Sequence, residues 1–298
     1  MIKKEKLLLI TSAVLMIGIL THVDRIFFKR GSSFCARFLH SSLSYDPTWD
    51  LPEPTPDQHQ ALKQILSQKF HYLAKGAHCF AFISEDQKYV IKFHRFASHM
   101  RIFPWLTHPF SYYFNERRKK IKQHNFQRLS INFSSYKDSD QYLKDETGVL
   151  LTHINPSDNL HLTITLVDKT KAQHRIHLDD VTFILQKKAN LIYPTLDSLY
   201  SQNKLDEAKQ VVSHIIQLVT SCCQKGFIDD DPVLRKNYGL LEDCAIHIDV
   251  GDLIRNDAMK LRENYIPHVK EMTESLRKRL ENHYPLLLEH YNEMIEKL

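Results

Sequence analysis

The stretch that decides the fold reads Gly226-Phe-Ile-Asp-Asp-Asp231-Pro-Val-Leu-Arg-Lys-Asn237, and Tyr238-Gly-Leu-Leu241 and Ala245-Ile-His-Ile-Asp249-Val-Gly251 follow it. Asp231, Asn237 and Asp249 lie within 19 positions, and two short apolar runs separate the last two. A hairpin of these runs can hold Asn237 and Asp249 side by side as the oxygen ligands that Mg²⁺ prefers. It can also bring Asp231 to a substrate hydroxyl as a general base. The order and spacing favour a metal-dependent site over an acidic surface loop.

The first half of the chain offers a second part of such a site. Tyr72 to Ile83 reads as a strand, a turn at Gly76 and a second strand, and Lys88 to Phe93 reads as a third strand that contains Lys92. Because apolar residues surround Lys92, we expect its side chain to be drawn into a partly covered site. A small-residue turn over phosphates, followed by a strand lysine that neutralises them, is how nucleotide kinases begin. Each feature alone is also typical of an ordinary hairpin.

Together these motifs resemble the protein-kinase-like superfamily from about residue 70 to about residue 255. In that family a glycine-rich hairpin leads to a strand lysine, matched by Gly76 and Lys92, and the metal-binding D-F-G is matched by Asp249-Val-Gly251. The catalytic loop, H-R-D-L-K-P-E-N or H-G-D in small-molecule kinases, is matched by the stretch that ends at Asn237, with one inserted residue. The resemblance implies ATP between two lobes, Mg²⁺ on Asn237 and Asp249, and phosphate binding by Lys92 and the turn at Gly76.

The chain departs from the family pattern at several points. The inserted residue leaves the catalytic base between Asp231 and, as the less favoured choice, Asp229. The acid that pairs with the strand lysine is not evident, and Glu146 is the first choice with Asp138 as the alternative. Only 47 residues follow Gly251, about half of what a protein-kinase C-lobe needs. The chain is therefore closer to the compact lipopolysaccharide-sugar and small-molecule kinases, or to a pseudokinase, than to Ser/Thr kinases.

The predicted fold class is α+β, with a small β-rich N-lobe over about residues 57–186 and a truncated helical C-lobe over about residues 187–298. Thr55-Pro-Asp-Gln58 predicts a helix start, since it offers an N-cap threonine, a proline at the first position and a glutamine three residues on. Apolar residues from Ala208 to Cys222 share one helical face. Strands are predicted at Leu162 to Leu166 and at Val181 to Gln186, the second leading to a hinge at residues 187–189.

The N-terminus predicts a single membrane anchor that precedes this domain. Residues 1–6 are basic, and Leu7 to Val23 then run without an acidic or strongly basic side chain. This is the short end of the roughly 17–25 residues that cross a bilayer. A cleaved signal peptide is the alternative, but no small-residue cleavage pattern follows the run. Residues 24–56 contain Pro47, Pro52 and Pro54 and predict an extended spacer.

The charges alone do not decide which side of the membrane the C-terminal domain occupies. Basic residues on the two sides of the anchor nearly balance, and the positive-inside rule depends on their difference. ATP use requires a cytoplasmic C-terminal domain, and that is the predicted location. The segment from Lys92 to Arg128 has a net charge of +8, against +5 for the whole chain. Its centre, Arg117 to Lys122, predicts contact with anionic lipid headgroups, to which each basic residue contributes on the order of 1 kcal/mol. A solvated helix is the alternative, and nucleic-acid binding is unlikely without a recognised module.

Composition excludes other classes of protein. Hydrophobic residues make up 43% and charged residues 25% of the chain, which rules out disorder and coiled coil for its bulk. Five cysteines without a C-x-x-C pair indicate neither a zinc module nor a disulfide framework. The sequence predicts a membrane-anchored phosphotransferase that uses ATP and Mg²⁺ and acts on a protein or small-molecule hydroxyl. The alternatives are a pseudokinase that scaffolds a partner and a structural membrane protein with accidental motif matches.

Overall fold

The computed structural model describes residues 34–41, 43–96 and 115–298, and the isolated positions 6, 11, 12, 15, 16, 18 and 19. The predicted anchor from Leu7 to Val23 lies mostly outside the described residues. Within the described residues, no helix is both long enough and apolar enough to cross a membrane. The side chains of the predicted lipid-binding segment, Arg117 to Lys122, also lie outside the description.

The described part of the chain is a mixed α+β structure, as predicted. Its strands are β1 (Lys69–Lys75), β2 (Cys79–Ser84), β3 (Tyr89–His94), β4 (Val149–His153), β5 (Thr163–Val167), β6 (Gln173–His177), β7 (Phe183–Lys187), β8 (Asn190–Leu191), β9 (Phe227–Asp229), β10 (Tyr238–Leu240), β11 (Ala245–His247) and β12 (Leu253–Arg255). Its helices are α1 (Pro56–Leu66), α2 (Asn115–Tyr142), α3 (Lys144–Thr147), α4 (Ile192–Ser201), α5 (Leu205–Gln224), α6 (Leu234–Asn237), α7 (Arg262–Met272), α8 (Glu274–His283) and α9 (Pro285–Glu296). The predicted strands at β1, β2, β3, β5 and β7 and the predicted helices at α1 and α5 are confirmed.

A seven-stranded sheet, in the order β4-β7-β3-β2-β1-β5-β6, dominates the first half of the described residues. Its strands pair antiparallel except for β1 and β5, which run parallel. Lys92 lies near the middle of this sheet, opposite Ala81 of β2 and Ile184 of β7. Two small sheets, β11-β10-β8 and β12-β9, carry the acidic motifs in the second half.

Two hydrophobic cores lie on either side of the large sheet. In β7, Phe183 and Leu185 belong to one core and Ile184 to the other, because neighbouring residues of a strand face opposite sides. The first core contains the buried phenylalanines of β1, β2 and β3. The second core continues into α2, α5 and the C-terminal helices, and Val212 and Ile215 of α5 are completely buried in it. The connection between β7 and β8 therefore joins a sheet-based part to a helical part.

Residues 34–41 and 43–56 pack against the sheet and α2, and we call this segment the strap. Leu39 is completely buried, and the ring of Phe34 meets the ring of Phe80 edge-on at 5.4 Å between centroids. The indole of Trp49 stands edge-on against Phe133 of α2 at 5.6 Å. The sequence predicts an extended spacer over residues 24–56, and within the described part of that range Phe34, Leu39 and Trp49 pack against the fold. Four prolines lie in residues 34–56, but apolar side chains of the same range, such as Leu39 and Trp49, find partners in the fold.

Replacing Leu39 with alanine tests the strap directly. Removal of a completely buried leucine side chain leaves a cavity, and we expect the free energy of unfolding to fall by about 2–5 kcal/mol. Leu43→Ala, at a position 37% exposed, is the matched control and should change it by less than about 1 kcal/mol. Chemical denaturation measures both variants. Equal, small effects of the two substitutions would mean that the segment is a spacer after all.

Candidate functional site

A cleft of about 350 Å³ collects side chains from four separate segments of the chain. The turn between β1 and β2 contributes Gly76 to Cys79, and α2 contributes one face of its central part. Asp231 enters from the loop after β9, and Asp249 enters from the loop after β11. The fold therefore brings together Gly76, Asp231 and Asp249, three of the side chains or turns that the sequence predicts to form a site.

The turn at Gly76 is short and internally bonded. The amide of Gly76 donates to the carbonyl of Cys79 at 2.9 Å. Arg95 fixes the turn from outside, since its guanidinium donates to the carbonyl of Ala77 at 2.7 Å and its amide donates to the carbonyl of His78 at 2.8 Å. Within the described residues, the amides of Ala77 and His78 donate no hydrogen bond. These two N–H groups are available to an anionic ligand at the edge of the cleft.

The loop after β9 is organised by Asn237 at the end of α6. The side-chain amide of Asn237 donates to the carbonyl oxygen of Asp231 at 2.7 Å and to its carboxylate at 3.2 Å. Asp231 itself is exposed to the cleft. Asn237 therefore holds the Asp231 carboxylate in position while its own side-chain oxygen accepts no hydrogen bond from the described residues.

The hairpin of β10 and β11 places Asn237 next to Asp249, as the sequence predicts. Tyr238 pairs with His247 at the open end of this hairpin, and the carbonyl of Asn237 accepts from the amide of Ile248 at 2.6 Å and from that of Asp249 at 3.4 Å. One carboxylate oxygen of Asp249 accepts from the amide of Gly251 at 3.3 Å. The other oxygen accepts no hydrogen bond within the described part of the chain.

The donor set at Asn237 and Asp249 suits a hard cation with few protein ligands. Both side chains retain an oxygen acceptor without a partner, as described above. Across residues 34–41, 43–96 and 115–298, no three His, Cys, Asp or Glu side chains converge on one point as a metal cage requires. Mg²⁺ is commonly bound by one or two side-chain oxygens and completes its octahedron with water and phosphate oxygens. Asn237 and Asp249 are therefore the side chains that could hold Mg²⁺ if it arrived together with a phosphate ligand.

Lys92 lies beside this pair, and no acidic side chain of the described residues pairs with it. Its ammonium group donates to the carbonyl oxygen of Ile248, the residue before Asp249. The first predicted acidic partner, Glu146, lies in α3 and is almost completely buried. Its carboxylate accepts from the hydroxyl of Ser221 at 2.6 Å and lies 2.7 Å from the ammonium of Lys225.

The structure therefore does not bring Glu146 to Lys92. The short helix α3 is capped at its C-terminal end by Gly148, which has a positive φ of 64°. Helix α3 packs against α5, the helix that carries Ser221. The alternative partner, Asp138 of α2, forms no ion pair with Lys92 in the described structure either. Burial raises the pKa of Asp138 above its ordinary value, and the charges of Arg255 and Lys137 oppose part of this rise.

Asp229, the second candidate base, is buried beneath the cleft and not presented to it. Its carboxylate accepts from the Tyr238 hydroxyl at 2.9 Å and from the amide of Asp231 at 3.0 Å, and it lies 3.6 Å from Nδ1 of His247. Burial raises the pKa of Asp229 to about 6 and lowers the pKa of His247 to about 3. Asp229 therefore orients the loop that carries Asp231. Tyr238 and His247 were not predicted as part of the site, although each lies within two residues of a predicted metal ligand.

One face of α2 forms the wall of the cleft, with Arg128, Asn132 and Tyr136 spaced one turn apart. The side-chain amide of Asn132 can donate to the carbonyl oxygens of Arg128 and Gly251, both at 3.2 Å. The hydroxyl of Ser135 donates to the carbonyl of Val250 and accepts from the amide of Leu253 at 2.9 Å. These contacts attach α2 to the chain segment that follows Asp249.

Carboxylates outnumber cations in the cleft. Asp230, Asp231, Asp249 and Asp252 line it, and burial and the Asp249 carboxylate raise the pKa of Asp252. Burial and the charge of Arg128 lower the pKa of His78, which keeps this imidazole neutral at pH 7. The surplus of negative charge favours a divalent cation in the cleft.

Comparison with known proteins adds little to this geometry. No protein-family model matches the chain, and no curated protein matches it. Among solved structures, a crystal structure of WbdD is similar over 76% of this chain, with 13% sequence identity and a TM-score of 0.37. The match covers 45% of the WbdD chain, so this chain spans less than half of that protein. A similarity this distant carries no argument about function.

The buried carboxylate of Asp229 should make stability depend on pH in a defined direction. Its pKa is about 6 in the folded state, against an ordinary value of 3.8, so the folded protein binds the proton more tightly than the unfolded chain. The contribution of Asp229 to stability therefore falls as the pH rises from about 4 to about 6. We expect the free energy of unfolding of wild type, relative to Asp229→Asn, to decrease by about 2 kcal/mol between pH 4 and pH 7.

The opposite pH dependence of His247 is present in both proteins, so the difference isolates Asp229. Asp158→Asn, whose side chain is 99% exposed, is the control and should show no such slope. Urea denaturation at each pH provides the measurement. A flat difference between wild type and Asp229→Asn across this range would show that the carboxylate is not buried as described.

Proposed function

We propose that this chain is a membrane-anchored phosphotransferase of kinase-like fold that uses ATP and Mg²⁺ to phosphorylate a hydroxyl of a protein or small molecule. The observation that carries the proposal is the meeting of Gly76, Asp231 and Asp249 in one cleft, with Asn237 fixed beside Asp249. Membrane attachment rests on the sequence from Leu7 to Val23 and on the basic segment Arg117 to Lys122, with the C-terminal domain in the cytoplasm.

In this proposal the cleft holds the phosphate groups of ATP. The free amides of Ala77 and His78 would donate to phosphate oxygens, as short turns of this kind do. Asn237 and Asp249 would hold Mg²⁺, which neutralises charge on the phosphate oxygens when it is bound. Lys92 would contribute a positive charge from the neighbouring strand, since its ammonium already lies at the residue before Asp249.

Asp231 is the base in this proposal, and Asp229 is a positioning residue. Asp231 faces the cleft and Asn237 holds its carboxylate, whereas Asp229 is committed to Tyr238 and to the backbone of the loop. Asp231 would accept the proton of the acceptor hydroxyl. The oxygen of that hydroxyl would bond to the terminal phosphorus atom of ATP while the bond between this phosphorus and the ADP oxygen breaks. Most of the acceleration would come from positioning, because phosphoryl transfer requires little covalent participation by the protein.

A second candidate function is a pseudokinase that binds nucleotide and a partner without turnover. The specific observation in its favour is that Lys92 has no carboxylate partner among the described residues, while Glu146 is bonded to Lys225 and Ser221. Turnover separates the two candidates, because both include nucleotide binding.

Mg²⁺-dependent ATP binding tests the proposed site. With Mg²⁺ and ATP at about a hundred times Kd, ligand binding should stabilise the protein by about 2.7 kcal/mol, a rise in Tm of about 5 °C or more for a chain of this size. We expect Asp249→Ala to lose the Mg²⁺-dependent part of that rise, because it removes a ligand oxygen. Asp243→Ala, an exposed carboxylate between β10 and β11, should retain it. A wild-type protein that shows no shift at any ATP concentration would contradict the proposal.

Turnover tests the assignment of Asp231. Loss of a general base typically slows a reaction 10²–10⁴-fold, so Asp231→Asn should reduce ADP formation from Mg²⁺-ATP, with water as the acceptor, by about 100-fold or more while nucleotide binding persists. Asp230→Asn is the matched control, since Asp230 is the adjacent exposed carboxylate in the same cleft. Equal losses of activity in Asp231→Asn and Asp230→Asn would contradict the assignment of Asp231 as the base. Binding by wild type without any ADP formation would favour the pseudokinase.

A further inference from the structure

We propose that Arg128 of α2 binds the terminal phosphate of the nucleotide in this cleft. The inference rests on the proposed function, and it assigns a phosphate contact that the sequence motifs do not contain. Arg128 lines the cleft together with Asp231, Asp249 and the turn at Gly76.

Arg128 is the one cleft-lining residue of the described chain that carries a positive charge at pH 7. Lys92 is not among the residues that line the cleft, since its ammonium is bonded to the carbonyl of Ile248. His78 lines the cleft but is neutral, as explained above. A polyphosphate that enters the cleft therefore meets a single formal cation on the wall formed by α2.

The guanidinium of Arg128 is uncommitted. Within the described residues it forms no hydrogen bond, and no carboxylate lies within 4.0 Å of its nitrogens, although its charge acts on Asp252 and His78. An arginine carries five N–H donors in a planar fork that matches a phosphate or carboxylate. A fork that no described residue engages, on the wall of a cleft, can receive an anion that enters the cleft.

The position of Arg128 is fixed although its guanidinium is free. Asn132, one helical turn further on, bonds both the carbonyl of Arg128 and the carbonyl of Gly251. Ser135 adds two bonds from the same helix to Val250 and Leu253. The base of the arginine side chain is therefore held at a set distance from the segment that follows Asp249, and only the side chain itself has to adjust to a ligand.

The chemistry of the cleft favours a terminal phosphate as the ligand of Arg128. Four carboxylates line the cleft and repel an incoming anion. An anion therefore binds there only together with cations, and Mg²⁺ would supply two of the positive charges. A nucleoside triphosphate carries about four negative charges, and its terminal group is a tetrahedral array of oxygens that accepts two parallel N–H bonds from arginine. Beyond Mg²⁺ and the neighbouring Lys92, the described cleft offers the triphosphate one further cation, and that cation is Arg128.

The experiment is calorimetric titration of wild type, Arg128→Ala and Arg128→Lys with ADP and with a non-hydrolysable ATP analogue, each in the presence of Mg²⁺. Hydrogen bonds to charged groups contribute about 1.5–3 kcal/mol, so Arg128→Ala should bind the ATP analogue about tenfold or more weakly. ADP binding should change much less. Arg128→Lys should lie between wild type and alanine, since it keeps the charge without the fork.

Arg175→Ala removes an exposed arginine of β6 outside the cleft and is the charge-matched control, with no change expected for either nucleotide. Equal affinities of wild type and Arg128→Ala for the ATP analogue would overturn the inference and leave the proposed function intact. Equal losses for ADP and the ATP analogue would overturn the assignment to the terminal phosphate. A wild-type protein that binds neither nucleotide would overturn the proposed function, and the inference with it. Because Arg128 is exposed, each variant should keep the wild-type Tm, which is measured alongside.

Discussion

The carbonyl oxygen of Asn237 accepts hydrogen bonds from the amides of Ile248 and Asp249, and the arrangement of the cleft depends on this contact. It closes the hairpin of β10 and β11 at the point where the side chains of the two predicted metal ligands, Asn237 and Asp249, leave the backbone. The side chain of the same asparagine donates to the backbone and carboxylate of Asp231. One residue thus fixes the relative positions of a carboxylate on each side of it, which no flexible acidic loop could do.

A second set of contacts extends this order across the cleft to α2. Ser135 bonds the backbone on both sides of Gly251, so the helix and the acidic loop move together. The strap then reaches α2 from the other direction, through the ring contact of Trp49 with Phe133 and a 2.7 Å hydrogen bond from Lys137 to the carbonyl of Thr48. The strap is therefore in direct contact with α2, the helix that forms one wall of the cleft.

Local patterns account for what the sequence predicted correctly. The strands around Gly76 and Lys92, helix α5 and the capped start of α1 follow from side-chain periodicity and from turn or capping residues, which act over a few positions. The pairing of Asn237 with Asp249 was predictable because a short hairpin leaves few other arrangements. Contacts between distant segments were not predictable in this way.

The strap and Glu146 illustrate that limit. A proline-rich composition says little about whether Leu39 and Trp49 find buried partners, because those partners lie far along the chain. Glu146 has the right residue type for a lysine partner, but Lys225 satisfies it from the end of α5, and a buried carboxylate is bound by the cation that the packing brings nearest. Tyr238 and His247 read as ordinary strand residues until the structure places them around Asp229.

The contact between Lys92 and the carbonyl of Ile248 is compatible with phosphate binding even though no acid holds the lysine. A charged group bonded to a phosphate oxygen forms a hydrogen bond roughly twice as strong as one between neutral groups, and a neutral carbonyl is the weaker competitor for an ammonium. Transfer of Lys92 from Ile248 to an arriving phosphate would therefore not require an ion pair to be broken. A carboxylate partner would compete more strongly for the same ammonium. Without an acidic partner among the described residues, Lys92 is less preorganised for its proposed role but not blocked from it, and the proposed positioning of phosphate then depends more on the turn at Gly76 and on α2.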